Sequence, residues 1–345
     1  MDQLVITRPD DWHVHLRDGA ALRHTVRETA RCFSRALVMP NLVPPVATTE
    51  QALAYRRRIL AEVPADGGFQ PLMTLYLTEE TSPEEIETAK ASGMIYAAKL
   101  YPAGVTTHSS AGISNFERAH RVLEALEAHD LPLLIHAEVA DPQVDVFDRE
   151  QIFIERQLIP MVDRFAGLRI VVEHVTTTEA IDFVADGPMR VAATITAHHL
   201  LLTRNALFQG GLQPHHFCAP LLQRERHRRA LIKAAISGSP KFFLGTDSAP
   251  HPKAAKESAC ANPGIYTSPI ALGLYAEVFE AAGALDRLEA FSSHYGAAFY
   301  GLPRNQARLR LQRAASPVPP ELALGDDVVV PFRAGRTVAW AVMAS

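Results

Sequence analysis

Short apolar runs alternate with longer amphipathic stretches along most of the chain. The runs are "WHVHL" (12–16), "ALVMPN" (36–41), "FQPLMTLYL" (69–77), "MIYAAKLYP" (94–102), "LPLLIHAE" (131–138), "LRIVVEHV" (168–175), "RVAATIT" (190–196) and "KFFLGTDSAPH" (241–251). Each has the length and β-rich character of a strand. Several are apolar without alternation, as strands buried on both faces of a parallel sheet are. Between them the period lengthens to that of helices: Thr49 to about Val63, Pro83 to Gly93, 114–130, Arg149 to Phe165, 177–187 and Arg224 to Ser237. Start signals support two of these. Ser82 can cap, with Pro83 at the first helical position and Glu85 completing a capping box. Ser114 can cap the next helix, with Glu117 three residues on. Glycine at position 93 can end the earlier one.

Eight strands separated by helices predict an α/β protein, a (β/α)8 barrel. A doubly wound open sheet is the structural rival. It normally carries a glycine-rich phosphate loop after its first strand, and none follows "WHVHLRDG". Two more helical patterns, Pro269–Ala282 and Leu285–Tyr300, follow the eighth strand. The tail then becomes proline-rich and strand-like. The expected division is a barrel over 1–303 and a strand-containing extension over 304–345 packed on it.

Composition narrows the function only slightly. The net charge of −4 and the single basic run "QRERHRR" (223–229), which suits a solvated helix face, give no nucleic-acid footprint. No apolar run reaches the roughly 18–20 residues of a membrane span, and residues 1–20 show no basic-then-apolar signal pattern. Three widely spaced cysteines, Cys32, Cys218 and Cys260, fit a reducing compartment. A cytoplasmic protein is expected.

Fifteen histidines make chance pairs common, so His13 and His15 carry little weight alone. Two apart on a strand, they face the same way. Lys99, His136, His174 and Asp247 also fall late in their strands, and barrel active sites lie at that end. Lys99 to His136 spans 37 residues, His136 to His174 spans 38, and His174 to Asp247 spans 73, or one, one and two β/α units. The six residues therefore fall at one mouth. Four imidazoles and a carboxylate suit Zn2+ or a similar divalent ion. An ammonium cannot ligate a cation. Lys99 fits if CO2 converts its amine to an anionic carbamate that bridges two metals. Arg17, two residues past His15, shares that face, and its planar fork can take a carboxylate bidentately.

Taken together, "HVHLRDG", "MPN", "KLYPAGVTT", "HAE", "EHVTT" and "LGTDSAPH" closely resemble the amidohydrolase superfamily and, within it, the shorter bacterial-type dihydroorotases. The similarity runs from Trp12 to about Tyr300. The HxH and His/His/Asp skeleton is specific only to the superfamily; "LRDG", "MPN", "KLYP" and "TDSAPH" narrow it. The resemblance implies reversible interconversion of L-dihydroorotate and N-carbamoyl-L-aspartate in pyrimidine synthesis. It implies two Zn2+ per subunit bridged by carboxylated Lys99 and a hydroxide. His13, His15, Lys99 and Asp247 would hold one ion, and Lys99, His136 and His174 the other. Asp247 would be the catalytic proton carrier. Substrate contacts carried over are His15, Arg17, Asn41, His136, Ala219, His251 and Pro263, with Thr106 and Thr107 on a mobile loop, and the assembly would be a homodimer. Position 263 departs from the pattern, because proline has no N–H to donate. If the contact is an amide donor, it is lost or comes from Gly264.

Overall fold

The computed structural model describes residues 2–64 and 68–343. After an edge strand β1 (Gln3–Thr7), the chain runs through β2 (Asp10–Val14), β3 (Arg35–Val38), β4 (Gln70–Tyr76), β5 (Ile95–Leu100), β6 (Leu133–Ile135), β7 (Ile170–Val172), β8 (Val191–Ile195) and β9 (Phe242–Leu244). Strands β2 to β9 form one sheet in sequence order, every ladder parallel. Its first and last strands meet through a bridge between Val14 and Ser248. This is the (β/α)8 barrel expected from the apolar runs.

Each barrel strand contributes one residue to an apolar plug: Trp12, Leu37, Leu72, Ala97, Leu134, Val171, Ala192 and Phe243. Ala297 and Tyr300, from the helical segment after the last strand, seal it. Trp12 stacks on Tyr300 with ring centroids 4.5 Å apart and planes 5° from parallel. A Cβ at Gly296 would overlap the Trp12 indole. Gly296→Ala is therefore expected to destabilise the protein by about 2 kcal/mol through overpacking, read as a lower urea midpoint with an unchanged slope.

Beyond the eighth strand the chain forms β10 (Arg308–Pro317), the hairpin β11 (Leu322–Leu324) and β12 (Asp327–Val329), and β13 (Thr337–Val342). Strand β10 pairs antiparallel with both β1 and β13. The extension's sheet thus includes the chain's first strand, which the division at residue 303 assigned to the barrel.

Two helix starts differ from the sequence reading. Ser82 does accept from Glu85 N at 3.3 Å, but the Glu85 carboxylate takes the Thr49 N–H and hydroxyl at 2.6 Å instead of closing the capping box. The helix expected from Ser114 begins only at His120, because the Ser114 N–H and hydroxyl are spent on Glu79. Gly93 ends its helix at φ +66°, as the pattern predicts.

Candidate active site

Closing the barrel builds half of the site. Asp247 N donates to His13 O at 2.9 Å, and His15 N donates to Ser248 O at 3.1 Å. These bonds lay the end of β9 beside the end of β2. His13 Nε2, His15 Nε2 and Asp247 Oδ1 then form a triangle with sides of 3.3, 3.3 and 3.1 Å. Asp11 steadies it: its carboxylate accepts from Thr246 N at 2.8 Å and from the Thr246 hydroxyl at 2.6 Å, fixing the residue before Asp247.

The other half follows from strand alternation. Ala97, Leu134 and Val171 lie in the plug, so Lys99, His136 and Glu173, two residues on, share their inward face. Lys99 is fully buried and its ammonium is paired with the Glu173 carboxylate. His136 Nε2 lies 2.6 Å from Glu138 Oε2. His174 is one residue out of phase. It turns inward because the chain has left β7 and adopts φ +42° there, with its N–H held by Thr194 Oγ1 at 2.8 Å. Its ring centroid lies 4.9 Å from those of both His13 and His136. The six residues named from the sequence are thus brought together.

Glu173 is the central residue that the sequence reading missed. In "VVEHV" the histidine drew attention, and alternation sends its neighbour to the opposite face. That inference assumes a strand continuing through His174, whereas β7 ends at Val172. The rule that Glu173 follows Val171 by two was the available signal.

Arg17 also lies beyond its strand, at φ +60°, so it does not share a strand face with His15. It reaches the site by another route: its Nε donates to Pro250 O and its Nη2 to His251 Nε2, both at 2.9 Å. Asp247 too has a positive φ, of 44°. Non-glycine residues in this region cost roughly 1–3 kcal/mol each and gather at functional sites. Asn41 Oδ1 lies 2.8 Å from His15 Nδ1, and Asn41 Nδ2 donates to Thr107 O at 3.2 Å. The loop that bears Thr106 and Thr107 is therefore folded over the mouth. Both threonines line the cavity with Ala219, Ala249, Pro263 and Gly264. The Gly264 N–H donates to Phe217 O at 2.9 Å, so it does not replace the missing Pro263 donor.

Charges in the site are strongly biased. Burial opposes charge on His13, but the flanking carboxylates of Glu173 and Asp247 prevail and raise it to about 9. Asp247 stays well below the usual carboxylate range despite its burial, because His13 faces it. Burial drops His15 to about 4 and holds His174 well below its ordinary value. Burial also pulls the Lys99 amine down, against the opposing pull of Glu173. His251 is lowered to about 2, by burial and then by Arg17.

Three buried polar atoms here have no hydrogen-bond partner, His174 Nδ1, Tyr101 Oη and Thr107 Oγ1, while His13 Nδ1 and Glu173 Oε1 meet only each other, 3.0 Å apart. Buried polar groups are rarely left so. His13, His15 and Asp247 offer one group of ligand atoms for an ion, and His13, Glu173 and His174 another. The donor set fits metal, with one adjustment: Lys99 would have to exchange its ion pair with Glu173 for a ligating form.

A (β/α)8 barrel with histidines and an aspartate converging at its C-terminal mouth defines the class of metal-dependent hydrolases. Comparison with known proteins narrows this. The amidohydrolase family model matches residues 6–338. A dihydroorotase of Nitrosomonas europaea is 60% identical over 341 residues, covering 98% of each chain. The crystal structure of a Campylobacter jejuni dihydroorotase superposes with a TM-score of 0.91 at 34% identity, covering 100% of this chain and 98% of that one. That of a Saccharomyces cerevisiae dihydroorotase in complex with 5-fluoroorotic acid gives 0.93 at 31% identity, covering 99% of each. The chain belongs to the amidohydrolase family and, within it, to the dihydroorotases. The family and the two ligand clusters indicate a metal cofactor. Among the described residues, no helix is long and apolar enough to cross a membrane.

Proposed function

We propose that this chain interconverts L-dihydroorotate and N-carbamoyl-L-aspartate, a step of pyrimidine biosynthesis. The observation that carries this reading is the pairing, in one mouth, of the His13/His15/Asp247 triangle with the Arg17–His251 cation site. The first suits hydrolysis of an amide and the second suits a substrate that bears a carboxylate. The yeast relative's bound ligand, 5-fluoroorotic acid, is such a ring acid.

His13, His15, Asp247 and carboxylated Lys99 would hold one Zn2+, and carboxylated Lys99, His136 and His174 a second. Bound there, the ions supply a water of lowered pKa and polarise the amide carbonyl. The protein's own groups do the rest. Asp247 takes the proton from the attacking water and passes it to the leaving ring nitrogen. In the cyclising direction it starts protonated and gives that proton back. His15 Nδ1–H donates to Asn41 Oδ1, which presents Nε2 inward. Glu138 does the same for His136 by accepting from Nε2, which leaves Nδ1 to ligate. Arg17, with Asn41 and His251, grips the substrate carboxylate. Thr107, whose hydroxyl is buried and unpartnered, and Thr106 close the lid over the ring and exclude water. Ala219 and Pro263 form the cavity wall; Pro263 contributes shape and its carbonyl, not an N–H. The same reading carries a homodimer and a cytoplasmic location, which three free cysteines fit.

Arg17→Met is expected to raise KM roughly 10- to 100-fold, the worth of a charge-assisted hydrogen bond of about 1.5–3 kcal/mol, with a smaller effect on kcat. Steady-state kinetics in the ring-opening direction checks this. The function itself is tested by assaying the zinc-loaded protein with L-dihydroorotate and with hydantoin. Turnover of dihydroorotate is expected; turnover of hydantoin alone would reject the assignment.

A further inference from the structure

A second group of metal-ligating side chains sits at the end of β8, and the reaction above makes no use of it. Past Ile195 the short helix Ala197–Leu201 begins, capped by the Thr196 hydroxyl, which accepts from His199 N at 3.2 Å. The cap turns His198 and His199 into the protein, where both are buried, with ring centroids 4.5 Å apart. Cys218, also buried, faces them from the segment before Ala219. One ligand atom from each of the three lies within 4.8 Å of the others. His199 Nε2 is 3.8 Å from Cys218 Sγ. A four-coordinate zinc, with Zn–S about 2.3 Å and Zn–N about 2.0 Å, separates sulfur and nitrogen ligands by roughly 3.5 Å.

A plain polar network explains only part of this cluster. His199 is satisfied, with Nδ1 2.7 Å from Thr196 Oγ1 and Nε2 3.1 Å from Pro220 O. The Cys218 thiol donates to the same carbonyl at 3.2 Å. His198 has nothing: it is 0% exposed, and both its ring nitrogens lack a partner. An imidazole always carries at least one N–H, so this ring buries an unmet acceptor and an unmet donor together, which proteins rarely tolerate.

We propose that His198, His199 and Cys218 form a separate site for one zinc-class ion. Binding is balanced simply. The Cys218 thiol releases its proton to solvent and ligates as thiolate. The His199 proton moves from Nε2 to Nδ1, where Thr196 Oγ1 accepts it, and the freed Nε2 lone pair ligates. His198 ligates through one nitrogen. Pro220 O, no longer bonded by either group, or a water fills the fourth position. Burial, and then the Asp247 charge, push the Cys218 thiol up, against the opposing pull of Lys256, whose ammonium is tied to the carbonyls of Phe217, Asn262 and Gly264; a coordinated cation itself deprotonates a thiol. Because Ala219 adjoins Cys218 and lines the substrate cavity, the ion would tie the end of β8 to that wall.

Cobalt separates this site from the main one, which has no sulfur ligand. Protein reconstituted with Co2+ is expected to show a near-ultraviolet thiolate-to-cobalt charge-transfer band that saturates at one equivalent per chain. Cys218→Ala should abolish it and Cys260→Ser should keep it. His198→Gln should weaken the equivalent that gives the band by more than the roughly 10- to 100-fold that outer-shell changes cost. Circular dichroism of each variant establishes that it is folded. No sulfur band at saturating cobalt, a band that survives Cys218→Ala, or unchanged affinity in folded His198→Gln would overturn the proposal.

Discussion

Asp247→Asn is expected to lower kcat for ring opening by about 10²- to 10⁴-fold, the range of a lost general acid–base, while losing far less metal than activity. Asparagine keeps an oxygen where Asp247 Oδ1 meets His13 and His15, and keeps the backbone bond to His13 O. It cannot accept and return a proton. The comparison is between kcat and metal content measured on the same preparation. Parallel loss of both would reduce Asp247 to a ligand that holds an ion and carries no proton.

Lys99→Ala is expected to lose several kcal/mol of transition-state stabilisation, about 10³-fold in rate or more, because the proposed carbamate ligand goes with it. The volume vacated deep in the barrel lies beside Glu173 and Tyr101. A small carboxylic acid such as acetate can enter there and restore part of the rate. Activity near wild type without added acid would remove the need for a carbamate. Loss of activity without rescue, in a protein that unfolds earlier, would trace the defect to the vacated space.

The barrel was legible because parallel strands buried on both faces read as unbroken apolar runs, and the helices between them carry a different period. The mouth was legible because polar residues at the ends of such runs stand out, as Lys99 and His136 do. What alternation alone could not reveal were the departures from regular strand geometry. His174, Arg17 and Asp247 adopt positive φ past their strand ends, where alternation no longer decides which way a side chain points. Long-range competition hid other features. Whether Ser114 caps a helix depends on Glu79, 35 residues away in the chain, and β1 finds its partner, β10, near the opposite terminus. Asp10 and Asp11 carried no expected role, and Trp12 was read only as the start of the first strand. Asp10 instead holds Arg35 in a buried pair, Asp11 holds Thr246, and Trp12 stacks at the base of the barrel.

Lys99, which pairs with Glu173, is proposed to serve the reaction as a carbamate. ¹³C NMR of protein loaded with zinc in ¹³C-bicarbonate tests it most directly. One carbamate resonance is expected, present in active wild-type enzyme and absent from Lys99→Ala. A fully active, zinc-loaded enzyme without that resonance would contradict the claim.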